Sequence, residues 1–335
     1  MNSWKNILGH EKIIEQLKRF SVEKNFPHAI IFSGIEGIGK KKVAEVFSAA
    51  LLCENLIDGE PCGVCPSCKL MAGKSHPDFY VVEPEETKTT KNIKIGQIRN
   101  LQSQTALKPV QADRRIVIID GAEFMRKEAA NCLLKTLEEP ISQTIFILVT
   151  ANRAGLLMTV RSRCVTINFE RLTEEEIKSE LLRREIDLER AEKLSVISGG
   201  SLGRAIKLSE SGGYEMRESA LDFLERIFRD EISNEDIFTK GLQISSWTRE
   251  QFSDFIIYIQ KILRDIFLLE VVELYNPDLM SRLEKIKIPE KKIAEMIKLG
   301  AEVHKRLKSN ANLRLLAESY FLNLKLLFSK CENDS

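Results

Sequence analysis

The chain has 335 residues and a net charge of +1, because 50 lysine and arginine residues nearly balance 49 aspartate and glutamate residues. This length allows about two domains, and a composition of 43% hydrophobic and 30% charged residues is typical of a globular protein. The near-neutral charge excludes a whole-protein basic field for gripping nucleic acid, although a local basic face remains compatible with it.

The first half of the sequence alternates short apolar runs with amphipathic stretches. The spacing predicts strands at 28–33, 79–83, 114–120, 144–150 and 164–169, and helices at 40–53, 93–107 and 122–139. Strands that alternate with helices predict a parallel sheet with helices on both faces, so the fold class of this region is α/β.

The character of the sequence changes after residue 169, because the rest of the chain shows helical spacing. We therefore predict an α/β domain over residues 1–169, a small helical unit over 170–210 and a helical domain over 211–335. No stretch approaches the roughly 18 continuous apolar residues of a membrane span. The N-terminus lacks the apolar core of a signal peptide, and we expect a cytoplasmic protein.

The first motif is a glycine loop between the first predicted strand and helix. Gly34, Gly37, Gly39 and Lys40 satisfy the phosphate-loop pattern G-x-x-x-x-G-K, but Lys41 stands where that pattern has Ser or Thr. Such a loop closes backbone N–H groups on phosphate oxygens, and its hydroxyl residue holds magnesium. The alternative is a plain strand–helix turn, although the strand–loop–helix context favours the phosphate loop.

The second motif is an aspartate at the end of a buried strand. Asp120 closes the run RRIVIID, a position that suits a magnesium ligand, and the next residue is Gly121 where ATPases of this type have glutamate. Glu123 lies three positions further on and is a weak candidate for the missing base. The alternative role for Asp120 is to cap the following helix, and both roles are compatible.

The third motif is a set of four cysteines, Cys53, Cys62, Cys65 and Cys68, with the spacing C-x8-C-x2-C-x2-C. Two overlapping C-x2-C steps predict a tight knuckle for tetrahedral sulfur ligation, and four thiolates give a closed, structural zinc site. Two disulfides are disfavoured by the expected compartment, and an iron–sulfur cluster by the zinc-like knuckle. His76 is a further ligand on paper.

The fourth motif is VRSRC, residues 160–164. An arginine at the edge of a nucleotide-binding domain can reach a phosphate held by a neighbouring subunit. Arg161 and Arg163 are equivalent on chemistry alone, and the alternative is that both are solvated.

With these motifs in this order, the sequence resembles the clamp-loader subunits of bacterial DNA polymerase III, which are AAA+ ATPases. The resemblance covers residues 1–210. It is carried by the cysteine segment and by ILGHEKIIEQLKRF, PHAIIFSG, SHPDFYVVEPE, RRIVIIDGAEFM, AANCLLKTLEEP and RSRC. It implies an AAA+ P-loop sheet domain with a zinc-binding insert at 53–68, then a small helical lid domain. Residues 211–335 match only as a helical domain of suitable length, which in the family forms an all-α collar.

The resemblance also implies roles and partners. Arg163 would act as an arginine finger on the ATP site of an adjacent gamma subunit, and the four cysteines would bind zinc. The partners would be gamma/tau and delta subunits in a hetero-pentameric ring, with the sliding clamp and primed DNA reached through that complex. Active subunits carry a sensor arginine where this chain has Gly203, next to Arg204. This chain therefore departs from the active pattern at Lys41, Gly121 and Gly203.

These departures predict a structural subunit of the DNA polymerase (nucleotidyltransferase) holoenzyme that does not hydrolyse ATP as an isolated chain. The glycine loop with Lys40 and Asp120 would be a vestigial or passive site for ATP or ADP. One alternative is an active ATPase like gamma or tau that tolerates Lys41 and Gly121. Another is a zinc-dependent nucleic-acid-binding module, against which the near-neutral charge argues.

Overall fold

The computed structural model divides the chain into two compact units, Met1–Asp187 with Gly200–Arg204 and Leu188–Gly199 with Ala205–Ser335. The structure describes residues 3–23, 27–86, 91–106, 108–138, 143–210, 212–268, 274, 276, 279–284, 286, 288–307 and 312–329. Among these residues, no helix combines the length and the apolar character that a membrane crossing requires.

The first unit is built on a parallel sheet of five strands. Strands in this unit are β1 (Ala29–Ser33), β2 (Phe79–Val82), β3 (Glu85–Glu86), β4 (Lys91–Asn92), β5 (Arg115–Asp120), β6 (Thr144–Thr150) and β7 (Val165–Asn168). The order across the sheet is β2-β5-β6-β1-β7, while β3 and β4 form a separate antiparallel pair. Ser33 pairs in register with Thr150, and Asp120 with Val149, so β1, β5 and β6 end at one edge of the sheet.

Helices cover both faces of this sheet. Helices in the first unit are α1 (Glu11–Glu23), α2 (Lys40–Leu52), α3 (Pro66–Ala72), α4 (Ile95–Thr105), α5 (Lys127–Glu138), α6 (Met158–Arg161) and α7 (Glu174–Arg183). On one face α1 and α2 bury Leu17, Val43 and Phe47, and on the other α4 and α5 bury Ile98 and Leu133. Burying each such side chain stabilises the fold by about 1.5–3 kcal/mol, which fixes the loops at the carboxyl edge.

The rest of the chain is helical. Its helices are α8 (Leu188–Ile197), α9 (Leu202–Ser209), α10 (Gly213–Phe228), α11 (Asn234–Ile244), α12 (Arg249–Phe267), α13 (Met280–Leu283), α14 (Glu290–Arg306) and α15 (Leu313–Ser329). In the second unit, Phe252, Phe255 and Phe321 are fully buried in a core that α10, α12, α14 and α15 share. The predicted fold class, a parallel α/β sheet domain followed by helices, is confirmed. The boundaries predicted at residues 169 and 210 stay predictions.

One helix begins later than predicted. The periodic stretch predicted a helix over 122–139, but α5 begins at Lys127, and a separate 3-10 turn spans Ala122–Phe124. Met125 between them is extended and forms a parallel bridge with Ile93. That long-range pairing breaks the helix and places Glu123 on a turn; residues 139 and 140 lie outside the described residues.

Candidate functional site

The glycine loop connects β1 to α2 at the carboxyl edge of the sheet. Gly37 has φ +80°, and Gly39, the residue that caps α2, has φ +101°. Only glycine adopts these left-handed angles without strain, so both residues are needed for the tight turn. The loop therefore has the strand–turn–helix context of a phosphate loop, with the N-terminus of α2 facing into it.

Lys40 is folded into its own loop. Its Nζ donates to the carbonyl oxygens of Gly34 and Ile35, each at 2.6 Å, and the residue is only 5% exposed. Burial lowers the pKa of Lys40, an effect that the charges of Glu123 and Asp120 oppose. The lysine that would neutralise a bound phosphate is thus already bonded to backbone oxygens.

Lys41 lies between two carboxylates. Its ammonium group contacts Oε1 of Glu83 and lies 3.4 Å from Oδ2 of Asp120. Burial acts to lower the pKa of Lys41, but the hydrogen bond to Glu83 and the charge of Asp120 outweigh it and raise the pKa. Lys41 is therefore a stable cation beside the strand-ending aspartate. Glu83, which follows β2, belongs to the quoted segment SHPDFYVVEPE, but nothing in the sequence assigns it to the glycine loop.

Gly121 and Gly203 are the other two departures from the pattern of active subunits. Both lie where a β-carbon would come very close to other atoms. Gly121 has φ +63°, and a β-carbon there would lie 2.9 Å from the Phe124 ring. The N–H of Gly203 donates to the carbonyl oxygen of Gly37 at 2.8 Å, and a β-carbon on Gly203 would lie 2.9 Å from the Gly37 Cα. The start of α9 therefore closes directly on the glycine loop.

Glu123 and Arg204, which lie near the glycine loop, also form defined hydrogen bonds. Glu123 accepts a hydrogen bond from the N–H of Ala151 at 2.9 Å, which ties it to the turn after β6. Arg204, beside the sensor position, donates its backbone N–H to the Ser201 hydroxyl at 3.2 Å, and Ser201 in turn donates to the Glu36 carbonyl at 2.8 Å. The Glu123 hydrogen bond joins the turns after β5 and β6, and the Ser201 hydrogen bond holds the start of α9 against the glycine loop.

The four cysteines lie together at the far end of α2. Their Sγ atoms are all within 4.8 Å of one another, and those of Cys62 and Cys68 are 3.9 Å apart. Tetrahedral ligation at about 2.3 Å implies sulfur–sulfur distances of about 3.8 Å, so the cluster could hold a metal ion such as zinc. Backbone N–H groups of Val64 and Cys65 lower the pKa of Cys62 to about 6, whereas burial raises the pKa of Cys53 and of Cys68.

Residues around the cluster hold the knuckle in place. His76 is buried and hydrogen-bonds the Ser67 hydroxyl at 3.2 Å, so it supports α3 and lies outside the group of four thiols. The indole Nε1 of Trp4 donates to the carbonyl oxygen of Gly59 at 2.8 Å. Ser3 donates its hydroxyl to Glu60 at 2.6 Å. These two hydrogen bonds therefore hold the loop between Cys53 and Cys62 against the N-terminal segment.

The structure distinguishes the two arginines of the VRSRC segment. Arg163 pairs with Glu138 and donates to the carbonyl oxygen of Thr159 at 2.9 Å, with its side chain 35% exposed. The Nε of Arg161 is buried and has no hydrogen-bond partner among the described residues. The exposed ion pair of Arg163 distinguishes it from Arg161, whose Nε is enclosed.

Comparison with known proteins shows which family the chain resembles. Residues 9–173 match the family described as DNA polymerase III, delta subunit. The delta′ subunit of DNA polymerase III from Pseudomonas aeruginosa is 35% identical over 62% of this chain and 63% of its own length. The delta′ subunit from Bacillus subtilis is 26% identical over 96% of this chain and 98% of its own length. The tau subunit from Bacillus subtilis is 32% identical over 65% of this chain and 37% of its own length.

The alignments with the P. aeruginosa delta′ and B. subtilis tau subunits span less than two thirds of those relatives. Among solved structures, a gamma subunit-related protein from Thermotoga maritima aligns at 19% identity and a TM-score of 0.43, over 94% of this chain and 99% of that one. The RuvB Holliday junction branch migration motor of the same organism aligns at 16% identity and a TM-score of 0.46, over 80% of this chain and 79% of that one. The family matches confirm the resemblance to the DNA polymerase III clamp-loader subunits, and to the delta′ subunit in particular.

Proposed function

We propose that this chain, as a relative of the DNA polymerase III delta′ subunits, is a clamp-loader subunit that does not hydrolyse ATP itself. The observation that carries the non-hydrolysing role is the position of Lys41, whose ammonium group lies 3.4 Å from Asp120. An active phosphate loop has there a hydroxyl group that holds magnesium on the nucleotide. A charged lysine cannot be a metal ligand.

The residue after Asp120 supports the same proposal. Gly121 replaces the glutamate that would orient the attacking water, and its left-handed backbone leaves little room for any side chain. Magnesium placement and water orientation are positioning and electrostatic contributions to phosphoryl transfer, so losing both costs many powers of ten in rate. The loop with Lys40 would bind ATP or ADP passively, without hydrolysis.

Arg163 is the residue that would act on a neighbour. Its guanidinium lies at the surface, in a pair with Glu138 that solvent can reach. Pairs of this kind are worth about 0–1 kcal/mol, so a phosphate group on an adjacent subunit can compete for the arginine. In this proposal Arg163 supplies an arginine finger in trans to a gamma or tau subunit.

The four-cysteine cluster would hold one structural zinc ion. Cys53, Cys62, Cys65 and Cys68 would be the ligands, and four thiolates leave no open position for a catalytic water. The metal would stabilise residues 53–72, a segment that contains few buried apolar side chains of its own. Its contribution is to folding and not to chemistry.

The partners follow from the relatives. We infer assembly with gamma/tau and delta subunits in a hetero-pentameric ring, which acts on the sliding clamp and on primed DNA. Phe238 and Leu242 on α11, and Leu315 on α15, are 45%, 57% and 64% exposed. Apolar side chains exposed on paired helices are suited to burial against partner helices, which supports a collar role for the second unit.

The test of this function is steady-state ATP turnover. We expect no turnover by the chain alone, and restored clamp loading when it is added to gamma and delta partners with primed DNA and clamp. If the isolated chain hydrolyses ATP and Lys40→Ala abolishes this turnover, the proposal is wrong. That result would favour the alternative, an active gamma/tau-like ATPase, which the similarity to the tau subunit keeps in view.

A further inference from the structure

The Lys41 ammonium lies beside the glycine loop, next to the aspartate that ends β5. Two carboxylates from different elements face it, Asp120 at the end of β5 and Glu83 after β2. In phosphate-loop ATPases, magnesium is held by a hydroxyl on the loop and an aspartate at the end of a strand. Here the first group is absent, and the second is bonded to an ammonium group.

Glu83 reaches this position because of the glycine that follows Asp120. The Pro84 side chain lies so close to Gly121 that a β-carbon there would be 3.0 Å from Pro84 Cγ. Gln97 on α4 donates its side-chain amide to the carbonyl oxygen of Glu83 at 2.8 Å. Pro84 on one side and Gln97 on the other hold the Glu83 backbone beside the loop. A side chain at position 121 would push this segment away.

We propose that Lys41, Asp120 and Glu83 form a built-in cation site in which the Lys41 ammonium replaces the divalent ion and excludes it. The Lys41 and Gly121 departures are then parts of one arrangement, since Gly121 lets Glu83 approach and Glu83 with Asp120 holds Lys41. Magnesium, which active members of the family hold at this position, does not fit the residues present here.

The charges explain the exclusion. A divalent ion bound to Asp120 and Glu83 would lie within a few ångströms of the ammonium, and like charges at about 4 Å repel strongly near a protein surface. Magnesium sites commonly use one or two carboxylates together with phosphate oxygens. Replacing Lys41 by serine removes the repelling charge and adds a hydroxyl ligand, so it should create such a site.

The experiment measures Mn²⁺ binding to the full chain by electron paramagnetic resonance, with and without ATP. In samples that contain wild-type chain and ATP, the amount of bound Mn²⁺ should equal the amount that ATP binds without protein. Lys41→Ser should gain roughly tenfold or more in Mn²⁺ affinity with ATP present, because a neighbouring positive charge is removed. Lys42→Ser is the matched control, since Lys42 is the next residue of α2 and is exposed. It should behave like wild type.

The outcomes decide the proposal. Mn²⁺-dependent ATP binding by wild type overturns it, and so does a folded Lys41→Ser chain that gains nothing over Lys42→Ser. Far-UV circular dichroism checks the fold, and Lys41→Gln, which loses the charge and is one atom shorter than lysine, serves if the serine variant is unstable. This proposal rests on the proposed function, but the experiment distinguishes the failure of one from the failure of the other. Mn²⁺ binding without turnover removes only this proposal, whereas turnover by the isolated chain removes the non-hydrolysing role.

Discussion

The guanidinium of Arg163 pairs with the carboxylate of Glu138, the last residue of helix α5. The same guanidinium donates to the carbonyl oxygen of Thr159, so the arginine is held against its own subunit at two points. Neither contact is buried, and a phosphate on a neighbouring subunit would have to replace only exposed interactions.

The first prediction concerns this arginine. In a complex assembled with gamma and delta partners, Arg163→Ala should lower ATP turnover by roughly 10³-fold or more, the range for arginine fingers. The isolated variant should unfold at the same temperature as wild type, because only exposed contacts are lost. Arg153→Ala, at an exposed position in the turn after β6, is the control. Full turnover by the Arg163→Ala complex contradicts the assignment.

The second prediction concerns the metal. Cys65→Ser, or treatment of wild type with a chelator and a thiol reagent, should release about one zinc ion per chain. Loss of the knuckle should free Trp4 from the Gly59 carbonyl and shift its fluorescence to longer wavelength. A Trp247→Phe background makes Trp4 the single tryptophan. Cys132→Ser, outside the cluster, should keep both zinc and emission. A metal-free preparation with native Trp4 emission is the contrary result.

The third prediction concerns Asp78, which is fully buried. Its carboxylate accepts hydrogen bonds from the N–H groups of Val110, Gln111 and Ala112 at 2.7–2.9 Å, and it lies 3.7 Å from the Arg115 guanidinium. Asp78→Asn should lower the free energy of unfolding by about 3 kcal/mol, because the buried Arg115 guanidinium loses its negatively charged partner. Denaturant unfolding measures the change, with the exposed Asp113 as the control position for the same substitution.

The same residue predicts a pH dependence. Burial acts to raise the pKa of Asp78, but the three N–H groups and Arg115 outweigh it and hold the pKa below its usual value. A depressed folded-state pKa stabilises the protein above the unfolded pKa, about 4, and this contribution is lost as the pH falls further. The stability difference between wild type and Asp78→Asn should therefore be constant from about pH 5 to 8 and shrink below about pH 4. A difference that grows in acid would contradict this account.

The fourth prediction concerns Gly121. Gly121→Glu restores the residue of active subunits, yet it should destabilise the chain by about 1–3 kcal/mol and create no ATP turnover. The reason is the left-handed backbone with Phe124 and Pro84 in contact. Gly96→Glu is the control, since a β-carbon on Gly96 meets nothing within 4 Å. Equal stability of the two variants would show that the space at Gly121 is not restrictive.

The sequence predicted those features that depend on local pattern. Strands such as 144–150 were placed correctly because buried parallel strands are continuous apolar runs. The glycine turn and the clustering of Cys53 with the other three cysteines followed from residue spacing. The fold class could therefore be read before any contact was known.

What the sequence could not predict are contacts between distant segments. Glu83 meets Lys41 only because β2 and β1 lie in one sheet, and no periodic pattern marks it. The late start of α5 depends on the pairing of Met125 with Ile93. The bond between Gly203 and Gly37 likewise joins segments far apart in the chain. Tertiary pairing decided each of these positions, and local propensity did not.

Helix α2 has a further consequence. It begins at Lys40 in the glycine loop and ends at Leu52, directly before the first cysteine of the cluster. Its 13 residues span about 20 Å, and each residue turns the helix by about 100°. Inserting or deleting one residue in α2 would rotate Cys53 away from the other thiols while Lys41 still faced Asp120. The interval between the loop and the knuckle is therefore set by helical phase, so the length of this helix is as constrained as the residues at its two ends.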